Sequence, residues 1–364
     1  MKILDKYIIS RYLITFLFCL ILFTAIVVVV DLSEKTEDFS KSNLSAMQIF
    51  SQHYLGFIPR IDAMLFPLFV FISVIFFASK MAGRSEVIAI LSSGVTFRRF
   101  LLPFLIGGLI LTSILWLGYR YVVPVANRKW AEFEKKYIDV NMAMLANNTS
   151  YKQNIYFKLD SNSFIGIKGY DTISKTGNGF FMQKFENNKL AYNIRASNFN
   201  WDTASKKWKL TSVAERIFND SNESIINSIE RKINFNFKPI DLRKDDYLKD
   251  EMSTPDLDAF IKREKIRGSE MLSTLNVERY NRDAIPVSVL ILTIIGAVLA
   301  SKKVRGGSGA HIALGVVLSM AYILLSRFSV VFATKGSFSP IMAAWMPNVI
   351  FGLLALYLYN RAAK

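Results

Sequence analysis

The stretch YLITFLFCLILFTAIVVVV, from Tyr12 to Val30, contains no Asp, Glu, Lys or Arg. A helix crosses the hydrocarbon core of a bilayer with roughly 17 to 25 apolar residues, so this stretch is long enough to do so. Five further charge-free stretches follow it: Ala63–Ser79, Phe100–Tyr119, Ala284–Ser301, Gly306–Ser326 and Gly336–Asn360. A soluble protein would have to bury six helices that are apolar on every face, which disfavours that alternative. The pattern predicts an α-helical membrane protein with six transmembrane helices.

The cations are distributed unevenly among the short segments that join these stretches. With the N-terminus placed inside, the inside segments carry twelve cations: Lys2, Lys6, Arg11, Lys80, Arg84, Arg98, Arg99, Lys302, Lys303, Arg305, Arg361 and Lys364. The outside segments carry four: Lys35, Lys41, Arg60 and Lys335. An excess of Lys and Arg marks cytoplasmic loops, whereas long domains cross the membrane largely regardless of charge. The net charge of +16 is therefore interpreted as a topology signal, with both termini in the cytoplasm, and not as a nucleic-acid-binding surface.

Between the third and fourth stretches lies a polar block in which apolar residues recur at every second position. Five short runs follow this alternation: Ile155 to Leu159, Phe164 to Ile167, Leu190 to Ile194, Trp208 to Leu210 and Ile233 to Phe237. Turn-forming segments such as Lys175-Thr-Gly-Asn-Gly separate them. The block is predicted to be an all-β domain on the outer side, an antiparallel sandwich or half-open roll. Alternation predicts these inward residues: Phe157, Ile165, Phe181, Tyr192, Phe199, Phe235 and Phe237.

These patterns divide the chain into three parts. Residues 1–137 hold the first three helices, with a charged helical extension from Tyr121 to Tyr137. Residues 138–250 form the β domain, and residues 251–364 hold a connecting helix, from about Asp256 to Arg279, and the last three helices. The single cysteine, Cys19, lies in the first stretch, so no intrachain disulfide stabilises the β domain.

Residue types that carry catalysis are sparse. His53 and His311 lie far apart, without a neighbouring cysteine or carboxylate cluster, which disfavours a zinc site or a Ser-His-Asp triad. The segment that begins at Gly306 lacks the Lys and Ser/Thr of a phosphate-binding loop. None of the six stretches contains the carboxylate that ion-coupled transporters place inside a span. We therefore expect no enzymatic activity, cofactor or metal in this chain.

Two arginines lie near the outer ends of predicted helices, Arg120 after the third stretch and Arg327 after the fifth. One interpretation is that their side chains extend to the interface and keep the charge in water. The other is that each meets an anionic lipid head group, because the planar guanidinium suits bidentate contact with phosphate. Both interpretations stay open at this point.

The inside segment between the second and third stretches contains GRSEVIAILSSG, from Gly83 to Gly94. Ser85 is suited to cap a helix, Glu86 favours its first turn, and Gly94 is suited to end it. The apolar stripe comprises Val87, Ile88, Leu91 and Val95. The segment predicts a short amphipathic cytoplasmic helix, which either anchors the loop at the membrane interface or docks, as a coupling helix, into a groove of a cytoplasmic ATPase.

Several of these residues match a known pattern: Leu4-Asp-Lys-Tyr-Ile, Pro67, Arg84-Ser-Glu-Val with Ser93-Gly94, Val123-Pro124, Trp201-Asp, Lys207-Trp-Lys-Leu and Pro286-Val-Ser-Val. With the three-plus-three layout, the chain resembles the lipopolysaccharide-export permeases LptF and LptG, the YjgP/YjgQ family. The resemblance covers the whole chain, and the Arg-Ser-Glu motif with its Ser-Gly is its most specific part.

The resemblance implies a transport assembly and a role for parts of this chain. Two related permeases form a pair on a dimer of the ATPase LptB, and the bitopic protein LptC joins them. Lipopolysaccharide enters a cavity between the permeases from the outer leaflet of the inner membrane, and ATP hydrolysis in the separate ATPase drives it into β-jellyroll domains. Carried onto this chain, the jellyroll runs from Tyr151 to about Phe237. The coupling helix comprises Arg84, Ser85, Glu86, Val87, Ile88 and Leu91.

The resemblance also implies cations for the substrate phosphates. LptG-type proteins carry a lysine near the outer end of the first span, whereas Val27 to Val30 contains none here, which leaves the choice between LptF and LptG open. The candidate substitutes are Lys35, Lys41, Arg60, Arg128 and Lys335, beside Arg120 and Arg327. Phe157 and Phe235 are the candidate acyl-chain contacts. The alternatives are a permease of another ABC exporter that handles lipoprotein or peptide, and a non-transporting membrane scaffold whose β domain binds a partner.

Overall fold

The computed structural model describes residues 3–138, 154–171, 174–187, 189–219, 222–235, 237–242, 247–269, 271–302, 308–336 and 338–362. The chain forms two compact units. The membrane unit comprises Met1–Tyr137, Lys249–Leu257 and Ser273–Lys364, and the β unit comprises Ile138–Leu248 and Asp258–Leu272. Six residues used in the sequence interpretation lie outside the described residues: Lys2, Tyr151, Lys303, Arg305, Gly306 and Lys364.

Helices dominate the membrane unit. In chain order the α-helices are α1 Ile3–Glu34, α2 Thr36–Lys41, α3 Ala46–Ile49, α4 Leu55–Gly83, α5 Glu86–Ser92, α6 Phe97–Leu117, α7 Val123–Phe133, α8 Leu248–Glu251, α9 Thr254–Arg267, α10 Leu272–Ala300, α11 Ser308–Lys335 and α12 Pro340–Ala362. Among the described residues, six helical segments are long and apolar enough to cross a membrane: Ile3–Glu34, Ala46–Gly83, Phe97–Ile138, Leu272–Ala300, Gly309–Lys335 and Pro340–Ala362. Each corresponds to one charge-free stretch, which confirms the six-helix prediction.

The third membrane-crossing segment changes its helical period along its length. A π-helical turn, Gly118–Val122, joins α6 to α7. Pro124, in the first turn of α7, has no N–H for the α-helical ladder, and its ring crowds the preceding turn. The wider π-helical turn accommodates this missing bond, so the helix continues through the proline. The predicted charged extension beyond the third stretch is therefore helical.

Glycines allow close helix packing at two places in the membrane unit. A Cβ added to Gly56 in α4 would lie 2.6 Å from the backbone nitrogen of Trp130 in α7. A Cβ added to Gly107 in α6 would lie 2.6 Å from the ring of Tyr12 in α1. Small residues are enriched where membrane helices touch, because the driving force there is close packing and not water exclusion. These two glycines therefore bring α4 against α7 and α6 against α1.

Hydrogen bonds between side chains join the helices further. The hydroxyls of Tyr12 and Thr293 lie 3.2 Å apart and link α1 to α10. Asn348 in α12 donates to the carbonyl of Ala284 at 2.7 Å and accepts from the Tyr322 hydroxyl at 3.0 Å. Asn348 thus connects α12 to both α10 and α11. Each of these four side chains thus has a hydrogen-bond partner, as the low dielectric of a membrane interior favours.

In the described part of the β unit, six strands form one antiparallel sheet in the order β1-β2-β3-β4-β5-β6. The strands are β1 Ile155–Lys158, β2 Ser163–Asp171, β3 Thr176–Glu186, β4 Lys189–Asp202, β5 Lys207–Asn219 and β6 Asn222–Ile233. The sheet lies between the third and fourth membrane helices in the chain, so the predicted fold class is confirmed. Two details of the prediction are wrong: β3 occupies the segment predicted as a turn at Lys175 to Gly179, and the last strand ends at Ile233 instead of continuing to Phe237.

An aromatic cluster forms the core of the β unit around Trp208, whose side chain is fully buried. The indole N–H of Trp208 donates to the carbonyl of Phe237 at 2.9 Å, and its ring contacts Tyr170, Phe199 and Phe237. The predicted inward residues Ile165, Phe199, Phe235 and Phe237 are buried, and Phe157 and Tyr192 pack against this core while half-buried.

The prediction for Phe181 is wrong, because its neighbour Phe180 occupies the core position. The Phe181 ring instead contacts Tyr156, 6.2 Å away between ring centres. Adjacent residues of a strand point to opposite faces, and a shift of one residue exchanges the faces. The pair Phe180-Phe181 fits either register, so alternation alone does not decide which ring is inside.

The β4–β5 turn is held by Asp202. Its carboxylate accepts from the ammonium of Lys232 at 2.8 Å and from the hydroxyl of Ser205 at 2.7 Å. These bonds, with a backbone N–H bond from Ala204, hold the pKa of Asp202 well below its usual range. The charged form of Asp202 therefore fixes the turn at neutral pH.

The connection back to the membrane unit differs from its prediction. The single polar helix expected from about Asp256 to Arg279 is interrupted, because α9 ends at Arg267 and α10 begins at Leu272. Gly268 adopts a left-handed conformation with φ of 67°. Glycine in that conformation ends helices, because it lacks the Cβ that penalises other residues there. Gly268 therefore ends the helix, and the helical pattern of the sequence did not predict this.

Candidate functional site

The membrane unit encloses a cavity of about 280 Å³ with one polar end. Arg60, Asn127, Asp250, Glu278 and Arg282 line the polar end. The apolar remainder is lined by residues of α4, α10 and α11 that include Met64, Leu68, Ile285, Leu292 and Ile323. Ionisable residues in this setting are expensive and therefore mark a candidate functional site.

Arg282 organises the polar end. The guanidinium is buried and lies 3.1 Å from the carboxylate of Glu278, one turn earlier in α10. It also donates to the carbonyls of Lys249 and Met252, each at 2.9 Å, and to the Thr254 hydroxyl at 3.3 Å. A buried charge needs such a full set of partners to offset its desolvation. Arg282 therefore holds the segment Lys249–Thr254 against α10.

α7 and the π-helical turn that follows it, Glu134–Ile138, also contact this segment. The amide of Asn127 donates to the carbonyl of Asp250 at 2.9 Å, and the ammonium of Lys135 lies 2.8 Å from the carboxylate of Glu251. Arg128, a predicted phosphate contact, reaches the carbonyl of Glu251 at 3.5 Å. Burial raises the pKa of the Asp250 carboxyl, against the opposing effect of the nearby cations Lys249, Arg60 and Arg282. The carboxylate of Asp250 is therefore more easily protonated than a solvated one.

Two of the predicted substrate cations lie at this cavity. The guanidinium of Arg60 lies 3.7 Å from the centre of the Trp130 ring, which fixes it by a cation–π contact. The guanidinium of Arg327 is exposed and reaches the sulfur of Met64 at 3.2 Å. The structure thus brings Arg60 from α4 and Arg327 from α11 to one cavity, although they are far apart in the sequence.

The other predicted cations lie elsewhere. Arg120 packs over the Trp116 ring at 5.2 Å, Lys41 pairs with Glu37 at 2.7 Å, and Lys335 is exposed at the end of α11. Lys35 forms an ion pair with Glu134 and lies 3.8 Å from Asp31. Its charge is therefore already matched by two carboxylates.

The sequence interpretation missed a buried histidine beside Lys35. His53 is fully buried, and its Nε2 lies 2.9 Å from a carboxylate oxygen of Asp31. The rings of Phe39, Phe57 and Phe133 surround it. No neighbouring carboxylate in the sequence indicated this pair, because Asp31 and His53 come from different helices. The pairing of Glu278 with Arg282, in contrast, could be inferred from the sequence, because residues four apart lie on the same face of a helix.

The predicted coupling helix is helical from Glu86 to Ser92. Gly94, with φ of 87°, lies at its end as predicted. The expected side-chain cap by Ser85 is wrong: Ser85 has φ of 62° and makes no capping hydrogen bond with its side chain. That left-handed conformation differs from the extended one of a capping serine.

The two faces of this helix differ in burial. Val87 is buried and Leu91 packs against the membrane core, whereas Ile88 and Arg84 are exposed. Glu86 accepts from the Tyr7 hydroxyl at 3.3 Å. Ile88 and Arg84 are therefore the most exposed members of the predicted set, and Glu86 is half-buried.

The two predicted acyl-chain contacts lie in the β unit. Phe157 stacks edge-on against Phe237 and lies under the guanidinium of Arg267, 5.0 Å from its ring centre. Phe235 lines a cavity of about 720 Å³ together with Trp201 and Phe237. Lys206, Lys238 and Arg263 line the same cavity. Aromatic walls with cations nearby suit an amphiphile that carries negative charge.

Metal-binding chemistry has no counterpart in the part of the chain that the structure describes. No group of three or more His, Cys, Asp or Glu side chains there could hold a metal ion.

Six membrane-crossing helices with a six-stranded antiparallel sheet inserted between the third and fourth define a multi-pass membrane protein with one β domain. The sequence matches the family described as lipopolysaccharide export system permease LptF/LptG over residues 6–361. The chain therefore belongs to the LptF/LptG family, which confirms the resemblance. No curated protein matches the chain individually.

Family membership fixes the general role of the chain. LptF/LptG proteins are permease components of the ABC transporter for lipopolysaccharide export. The chain is accordingly a multi-pass protein of the inner membrane and a permease component of a lipopolysaccharide transporter.

Proposed function

We propose that this chain extracts lipopolysaccharide from the inner membrane and passes it through its periplasmic β domain towards the outer membrane. The observation that carries the proposal is the family match over residues 6–361. ATP hydrolysis takes place in a separate LptB-like dimer, and a paralogous permease and an LptC-like bitopic protein complete the assembly. The positive-inside distribution supports cytoplasmic termini and a periplasmic β domain.

Substrate phosphates are proposed to meet Arg60 and Arg327. Both guanidinium groups line the same cavity, whose remaining wall is largely apolar, so charge and hydrocarbon are within reach of one amphiphile. An arginine fork binds phosphate through two parallel hydrogen bonds. Lys35, Lys41, Arg120, Arg128 and Lys335 stay candidates for secondary contacts, with Lys35 requiring release from Glu134.

The acyl chains are proposed to follow the aromatic interior of the β unit past Phe157 and Phe235. Each methylene exposed to water costs about 0.8 kcal/mol, so a lipid leaves the bilayer only where another apolar surface receives it. The Trp201, Phe235 and Phe237 side chains around a cavity of about 720 Å³ offer such a surface.

Coupling to the ATPase is proposed to use the segment from Arg84 to Leu91. The helix from Glu86 to Ser92 is short and packs one apolar face on the membrane core, so motion of a docked partner reaches the spans directly.

Photo-crosslinking in the assembled transporter tests the proposal. A photoreactive phenylalanine analogue at Phe157 or Phe235 is expected to yield an adduct that carries phosphorylated lipid A. Tyr156, the exposed neighbour of Phe157 in β1, is the matched control and is expected to yield none. An adduct with lipoprotein or peptide would support a different ABC exporter. Absence of any adduct at Phe157 and Phe235, with only bulk phospholipid co-purifying, would support a non-transporting scaffold.

A further inference from the structure

A second cavity, distinct from the polar one, lies between α6, α10 and α12. It has a volume of about 490 Å³, within the range of about 300 to 1,000 Å³ common for ligand sites. Its walls are apolar and include Leu101, Phe104, Ile294, Ala297, Ala355 and Leu356. All three helices belong to membrane-crossing segments, so the surroundings of this groove are hydrocarbon.

Small side chains keep the groove open. Ala297, Gly352 and Ala355 contribute little volume to its walls. A Cβ added to Gly352 would meet no atom within 4 Å, so the space beside α12 is free. Because protein interiors are close-packed, open volume of this size beside three packed helices indicates room for a guest.

One end of the groove carries a positively charged side chain. Arg98, in the first turn of α6, lines the groove, as does Tyr359 of α12, and is exposed. Within the described ranges Arg98 forms no hydrogen bond or ion pair. Its neighbour Arg99 is held by Asp5, with a nitrogen–oxygen distance of 2.7 Å. Arg99 is thus bound by Asp5, whereas Arg98 has no ion-pair partner among the described residues.

We propose that this groove binds one acyl chain of an anionic glycerophospholipid, with the lipid phosphate on Arg98. Moving a chain from bilayer hydrocarbon into a protein groove yields little free energy, because both surroundings are equally apolar. Head-group charge therefore sets the selectivity, because the phosphate of an anionic lipid has no adjacent quaternary ammonium to compensate it, and a guanidinium suits such a phosphate.

The position of Arg98 favours a resident phospholipid over the exported substrate. Arg98 belongs to the cations whose distribution predicts the cytoplasmic side, where anionic phospholipids attract basic residues. The exported lipid is proposed to enter from the opposite leaflet. This inference goes beyond the export function and does not depend on Arg60 or Arg327.

Native mass spectrometry of the purified, delipidated transporter tests the proposal, with phosphatidylglycerol and phosphatidylcholine as probes. The wild-type chain is expected to retain phosphatidylglycerol in preference to phosphatidylcholine. Arg98→Gln is expected to weaken phosphatidylglycerol retention about tenfold, the loss of a charge-assisted contact. Arg361→Gln, which removes an exposed charge outside the groove on α12, is expected to leave retention unchanged. Equal retention by Arg98→Gln and wild type would overturn the proposal.

A second pair of variants tests the apolar part of the groove. Gly352→Phe places a ring in the open space and is expected to abolish retention of both lipids. Leu353→Phe places the same ring on the adjacent exposed position and is expected to leave retention unchanged. Thermal unfolding of each variant checks that the fold persists. Equal retention in folded Gly352→Phe and Leu353→Phe, or occupation by lipid A in place of phospholipid, would contradict the assignment.

Discussion

At the residue scale, Arg282 illustrates how a membrane unit accommodates a buried charge. One carboxylate and three uncharged oxygens face its guanidinium, and two of these oxygens are backbone carbonyls of Lys249 and Met252. The arginine therefore donates to a carbonyl within the short helix α8 and to the carbonyl of Met252, just after it. The last carbonyls of a helix have no intrahelical donor, and donors from outside the helix satisfy them in this way.

Replacing Arg282 is expected to destabilise the membrane unit strongly. Arg282→Leu leaves the Glu278 carboxylate without its buried partner, and removing one member of a buried pair costs about 3 to 5 kcal/mol. Arg279→Leu, on the same helix, breaks a more exposed pair with Asp283 and is expected to cost up to about 1 kcal/mol. Thermal unfolding of the detergent-purified protein, followed by protease resistance, measures both. Similar losses of thermal stability in the two variants would contradict the role of Arg282 in holding the segment Lys249–Thr254 against α10.

Individual residues were predicted unevenly from the sequence. Alternation found Ile165, Phe199, Phe235 and Phe237, because a strand with one buried face repeats every two residues. Periodicity gave no sign that Asp31 faces His53 or that Arg60 and Arg327 share a cavity. Such pairs depend on how separate helices pack, which is a non-local property.

At the element scale, the helix from Glu86 to Ser92 is anchored on one face and exposed on the other. Its buried face, with Val87, fixes it to the membrane core, and its exposed Ile88 leaves an apolar contact available. A short rigid element of this kind transmits displacement more directly than a flexible loop.

Glu86→Lys is expected to reduce the amount of ATPase that co-purifies with the permease by about tenfold, because a reversed charge at an interface is penalised. Glu37→Lys reverses an exposed charge predicted on the other side of the membrane and is the matched control. Tyr7→Phe removes the hydrogen bond to Glu86 without changing charge. Its effect therefore shows how much of any loss of ATPase comes from the broken hydrogen bond within the permease and not from weaker docking of the ATPase. Unchanged ATPase in Glu86→Lys would count against the coupling role.

Whole elements were predicted better than their ends. The six membrane helices follow from length and apolarity, because a lipid-exposed backbone must satisfy its own hydrogen bonds. The break at Gly268 and the start of β3 at Thr176 were missed, since glycine-rich and polar segments fit turns and elements alike. Ser85 was misjudged because its backbone conformation depends on the α4 end that precedes it.

At the scale of the whole molecule, the cores of the two units are stabilised differently, because lipid surrounds one unit and water surrounds the other. The membrane unit uses glycine contacts and a few inter-helix hydrogen bonds, whereas the β unit is centred on a cluster of aromatic rings around Trp208. Hydrophobic burial drives the second but offers little between helices in lipid. The sequence of the membrane unit therefore contains helices that are apolar on every face, whereas the sequence of the β unit has apolar residues at alternate positions.

The orientation of the two units across the membrane is open to a direct measurement. The chain has one cysteine, the buried Cys19, so Cys19→Ala provides a background without reactive thiols. Ala204→Cys introduces an exposed thiol in the β4–β5 turn, and Ser92→Cys introduces one at the end of the coupling helix. The twelve-to-four distribution of cations predicts a periplasmic β unit and a cytoplasmic coupling helix. A membrane-impermeant maleimide is therefore expected to label Ala204→Cys in cells in which only the outer membrane is permeabilised. It is expected to label Ser92→Cys only after lysis. Labelling in the reverse order would place the β unit in the cytoplasm and remove the route by which it receives lipid.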